Sequence, residues 1–97
     1  MLYTVNKSPH QYGNLESALR IASQDAPLLL YEDGVYGAAE GTKVSALVRE
    51  ALDQRPIYAL KADLDARGVT RLIDGVQVVD YDGFVALVEE HNVAPWL

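Results

Sequence analysis

Ninety-seven residues, 49% of them hydrophobic, carry a formal net charge of −6 and no cysteine. That is one domain's worth of chain, since compact domains run from about 50 to 250 residues, and the missing thiol excludes disulfides, thiolate metal sites and cysteine nucleophiles or sulfur carriers on this polypeptide. No Lys or Arg follows Arg71, while Asp74, Asp80, Asp82, Glu89 and Glu90 do, so the clustered positive charge that phosphate contact requires is absent and direct nucleic-acid binding is not expected.

Leu2 to Val5 reads as a short first strand, left through Asn6-Lys7-Ser8-Pro9, where the proline ring stops any further ladder. Asn14 is placed to cap a helix whose Leu15, Ala18, Leu19 and Ala22 recur at helical spacing. Asp25-Ala26-Pro27 turns the chain into Leu28-Leu29-Leu30-Tyr31, an apolar run without polar alternation, as suits a strand buried on both faces of a parallel sheet. The run breaks at once into Glu32-Asp33-Gly34, and a short helical stretch follows Gly34 and ends near Gly41.

Val44, Leu47, Val48, Ala51 and Leu52 repeat as one face of a second amphipathic helix, closed by Arg55-Pro56. Ile57 to Leu60 is a third buried strand, and Ala62 to Arg67 forms one or two helical turns with Gly68 as the residue just past the end. Val76 to Val79 is the fourth strand. Asp80 then caps a last helix whose Phe84, Leu87, Val88 and His91 share a face. This alternation predicts a small three-layer αβα domain, residues 1–97, with a mostly parallel four-stranded sheet and right-handed crossovers.

The longest apolar run, Ala26 to Tyr31, falls well short of the roughly 20 residues a membrane span needs. The opening Met1 to Lys7 has no basic region ahead of an apolar stretch, so no secretory signal and no membrane partner are expected, and a cytoplasmic location is the default. A chain this short buries only about 60–70% of its unfolded surface, which leaves apolar area for self-association or a partner.

Chemistry has few places to sit. His10 and His91 are far apart and in no ligand spacing, so no metal is expected. Gly34, Gly37 and Gly41 match neither phosphate-loop fingerprint, and no nucleotide or other cofactor is expected. No serine lies in a nucleophile elbow, and Glu32 and Asp33, as neighbours on a strand exit, diverge rather than converge on one atom. What remains is the rim where parallel strands end, the edge at which open α/β sheets gather functional groups. There Glu32, Asp33, Gly34, Lys61, Asp63 and Arg67 form a candidate polar pocket, with Asn6, Lys7 and Ser8 nearby; local salt bridges and caps are the plainer account of the same residues. The closing Ala94-Pro95-Trp96-Leu97 is unusually apolar for a terminus, and Trp96 with Leu97 either folds back on the domain or docks into a neighbouring subunit.

Several stretches together resemble the TusB/DsrH family of sulfur-relay proteins. They are Met1 to Pro9, Asn14-Leu15-Glu16-Ser17, Leu29 to Tyr36, Tyr58 to Leu64 with Ala66-Arg67-Gly68, Val79-Asp80-Tyr81 and the closing Trp96-Leu97. The series spans nearly the whole chain and leans towards the DsrH branch of sulfur oxidisers. The resemblance implies a DsrE-like fold and a heterohexamer with DsrE/TusD-like and DsrF/TusC-like subunits. Such complexes hand sulfur, carried as a persulfide on the DsrE/TusD subunit, to a DsrC/TusE-like acceptor. The downstream purpose is 2-thiolation of the tRNA wobble uridine or sulfur oxidation. Many DsrH-like members carry a cysteine in the first helix after Leu-Glu-Ser; here that position is Ala18, which forms no persulfide. The expectation is a non-catalytic subunit without a cofactor, with Lys61 and Arg67 available to a partner's thiolate at a subunit junction. The competing expectation is a homo-oligomeric module that binds a small ligand in the strand-exit pocket and has no sulfur chemistry.

Overall fold

The computed structural model describes residues 1–96. Five strands form one sheet in the order β4-β3-β2-β1-β5: β1 Leu2–Val5, β2 Leu28–Leu30, β3 Ile57–Leu60, β4 Gln77–Val79 and β5 Val93–Pro95. All four pairings are parallel. The expected four strands are therefore five. The fifth, β5, aligns Leu2 with Val93 and Thr4 with Pro95. Three residues ending in proline carry no readable strand period, and Pro95 is tolerated because β5 is an edge strand.

The helices are α1 Asn14–Ile21, α2 Ser45–Ala51, α3 Lys61–Ala66 and α4 Tyr81–Glu90, with a 3₁₀ helix over Glu32–Ala38. Strand order explains where they lie. From β1 to β4 the chain steps one strand at a time in one direction, so right-handed crossovers put their helices on one face; the return from β4 to β5 must cross the other. The core divides accordingly. Leu15, Ala18 and Leu19 of α1, Val35 and Ala38 of the 3₁₀ helix, Val48 of α2 and Leu64 of α3 pack with Val5, Leu28, Leu30, Ile57 and Ala59. On the other face only α4 contributes: Leu87 meets Leu2 and Leu29, flanked by Phe84, Tyr58 and Val79.

Leu28, Leu29 and Leu30 are fully buried, as a central strand covered on both sides requires. Two caps match the sequence reading. The Asp80 carboxylate accepts from the Gly83 N–H at 2.8 Å, and Gly68, at φ +65°, follows α3 while the Val69 N–H reaches back to the Leu64 carbonyl at 3.0 Å. Asn14 differs. It is the first residue of α1, and its amide donates instead to the Trp96 carbonyl at 3.2 Å, tying the first helix to the end of β5.

The 3₁₀ helix begins two residues before Gly34 rather than after it. Gly34 is there for contact: a Cβ at this position would stand 2.1 Å from the Val5 carbonyl oxygen, which is main chain and cannot rotate away. Gly34→Ala is therefore expected to lower stability by about 2 kcal/mol or more, the upper range for overpacking; the urea unfolding midpoint measures it.

Candidate functional site

Because the strands are parallel, the ends of β1, β2 and β3 share one edge, and the sequence-predicted rim assembles there. At the exit of β2, Tyr31 is still extended, but Glu32 adopts φ +48°, the left-handed region where a non-glycine residue is uncommon. That turn aims the Glu32 backbone N–H at the Asp63 carboxylate, 2.6 Å away on α3. The Glu32 side chain goes the other way and accepts from the Asn6 amide at 3.3 Å, linking the exits of β1 and β2. Asp33 does not cap the 3₁₀ helix, of which it is the second residue; no side-chain cap is present there.

Asp33 instead accepts from Arg67 Nε at 2.8 Å. Arg67 also reaches Asp63, through Nη1 to the carbonyl at 3.3 Å and to Oδ1 at 3.4 Å. One arginine thus bridges two carboxylates from the 3₁₀ helix and α3. The hydrogen bond to Asp33 is the main reason its pKa rises above the ordinary arginine value. Glu32, Asp33, Asp63 and Arg67 come together as a network of hydrogen bonds and ion pairs, while Gly34 bonds Tyr31 and packs on the Val5 main chain.

Lys61 does not join them. It pairs with Asp65 one turn along α3 at 2.6 Å, both side chains exposed, and that bond raises its pKa. Ala18 lies at 0% exposure in the main core, so this position offers nothing to a reagent at the surface. Trp96 is seated in its own domain: its backbone N–H donates to the Thr4 carbonyl at 2.9 Å and its ring meets Tyr3 edge-on at 5.6 Å. The ring is half-buried, and Leu97 lies outside the described residues.

The sequence reading missed the outer surface of α4. Tyr81 is 70% exposed, and Val85 and Val88 are exposed beside it, while Tyr81 stacks on Phe84 at 5.9 Å. Apolar residues on two sides of one helix were the available signal. The charged residues of this helix and its cap are Asp80, Asp82, Glu89 and Glu90, with no basic residue on the element.

Fold and site together define a small parallel αβα domain with an ion-paired strand-exit rim, a thinly covered second face and no thiol. Comparison with known proteins agrees. The family described as "DsrH like protein" matches residues 7–94. The chain is 41% identical over 95 residues to Protein TusB of Photorhabdus laumondii, with 95% of each chain covered. It is 37% identical over 93 residues to Protein TusB of Escherichia coli O1:K1, again with 95% of each covered. Two solved structures share the fold. They are the ychN protein from E. coli (TM-score 0.81, 24% identity, 97% of both chains) and MTH1491 from Methanobacterium thermoautotrophicum (TM-score 0.72, 21% identity, 97% of this chain and 95% of that one). This chain belongs to the TusB/DsrH family.

The network allows a ranked prediction. Asp63→Ala leaves the Glu32 N–H and part of Arg67 without their acceptor and should cost about 1–2 kcal/mol. Asp33→Ala breaks only an ion pair whose carboxylate is half exposed and should cost less than about 1 kcal/mol. Urea denaturation of the two variants measures the order. Trp96→Ala should cost about 2 kcal/mol, below the range for a fully buried tryptophan, by the same assay.

Proposed function

We propose that this chain is a non-catalytic subunit of a sulfurtransferase complex, acting in tRNA wobble-uridine 2-thiolation or in sulfur oxidation alongside DsrE/TusD-like and DsrF/TusC-like chains. The observation that carries the reading is that a member of this family has no cysteine anywhere. A thiolate must carry the persulfide, so the sulfur rides on another chain and this one contributes surface. The first-helix position is Ala18, buried in the core, and the strand-exit rim spends its charges on internal ion pairs.

The surface it contributes is the outside of α4. A stripe of Tyr81, Val85 and Val88 on a helix whose charged residues are all acids suits a partner face with an apolar centre and a basic rim. Trp96 adds whatever part of its ring its own domain leaves uncovered. A DsrC/TusE-like protein would receive the sulfur, in the cytoplasm.

Co-expression with DsrE- and DsrF-like chains of the same genome, read by light scattering after size exclusion, tests the reading. A particle with two copies of each chain supports it; a stable homo-oligomer that ignores those partners overturns it and favours the small-ligand module. The double variant Val85→Glu, Val88→Glu changes exposed positions only, so it should keep the unfolding midpoint within about 0.5 kcal/mol of the parent and lose at least most of the co-purifying partner.

A further inference from the structure

Between α1 and α2, on the face away from α4, lies a cleft of about 110 Å³. Leu19, Leu47 and Ala51 supply its apolar wall, and Gln24, Glu50 and Gln54 stand exposed along its mouth. Its most buried lining residue is Arg55, at 4% exposure. One contact holds the guanidinium: Nη2 donates to the Ala22 carbonyl at 3.3 Å. Nε and Nη1 are buried and donate to no acceptor among the described residues, and Arg55 forms no ion pair there.

A buried cation with three idle N–H donors is the costly arrangement in protein interiors. Its burial depresses the Arg55 pKa, and the field of Asp25 opposes that without a hydrogen bond, yet a guanidinium stays charged. What the site lacks is one negative charge bearing acceptor oxygens.

We propose that this cleft binds a small monocarboxylate whose oxygens accept from Arg55 and whose short apolar tail lies against Leu19, Leu47 and Ala51. Glu50 at the mouth and the net charge of −6 work against a dianion. The apolar wall works against a bare ion. Arg55 Nε and Nη1 are covered in the free chain, so binding requires side chains at the mouth, the exposed Gln24 and Gln54 among them, to move aside. The site stands apart from the α4 surface and from the strand-exit rim, and does not depend on the sulfur-relay reading.

The test titrates the ¹⁵N-labelled full chain with acetate, propionate and butyrate, and in parallel with butyramide and inorganic phosphate. Expected are saturable shifts at the amides of Leu19, Gln24, Leu47 and Gln54 and at the Arg55 Nε–H signal. Each added methylene should tighten binding about fourfold, the worth of one buried CH₂, and neutral butyramide should give no such shifts. Arg55→Gln should abolish the response. Should that variant not fold, Ala51→Leu, which fills the cleft and keeps the arginine, should abolish it too. No saturation with any carboxylate, equal binding of butyramide, or a phosphate response as strong as that of butyrate would overturn the proposal.

Discussion

The handedness of the crossover connections is the constraint on which the rest of this molecule depends. Four strands laid down in one direction commit α1, the 3₁₀ helix, α2 and α3 to one face of the sheet, and only the return stretch from β4 to β5 can cover the other. The first face has a deep core reaching from Val5 to Ile73. The second has Leu2, Leu29 and Leu87 at its centre and little else buried. A helix that alone covers a face carries apolar residues on its inner side by necessity; α4 carries them on its outer side as well. That surplus is a physical reason to expect a neighbour.

The same parallel order brings the strand ends to one rim, and there the chain resolves its charges internally. A pocket for a ligand would need groups held apart and unpaired. Arg67 instead sits between Asp33 and Asp63, and the left-handed turn at Glu32 delivers its N–H to Asp63. Strain of this kind is held only where surrounding bonds determine it. Here the contact of Gly34 with the Val5 carbonyl and the Asn6–Glu32 bond supply that determination. The rim thus braces β1, β2 and α3 against one another, with Arg67 covered between its two carboxylates and Asp33 the more exposed partner.

Much of this was legible in the sequence, for reasons of range. Leu28 to Leu30 announce burial on both faces because every residue is apolar; Asp80 and Gly68 act on residues within one helical turn of themselves. Resemblance along the whole chain named the family that the comparisons then showed. What stayed hidden was long-range or lacked a period. Asp33 and Arg67 are 34 residues apart, and Lys61 turns to Asp65, its i+4 neighbour, because α3 begins at Lys61 and not at Ala62 as the sequence suggested. Strand β5 is too short to show alternation, and Arg55, read as the close of a helix, gave no sign that its guanidinium would be buried. Glu32 begins the 3₁₀ helix in a backbone region that glutamate rarely visits, so propensity pointed to Gly34 instead.

The account's central claim is that this chain serves a sulfur relay through its surface and not through its own chemistry. The most direct measurement is sulfur transfer in the reconstituted complex, followed by intact-mass analysis of every subunit, with and without this chain. The account predicts persulfide on a partner's cysteine only, and a loss of transfer to the acceptor when this chain is left out. Undiminished transfer by the partners alone would contradict it.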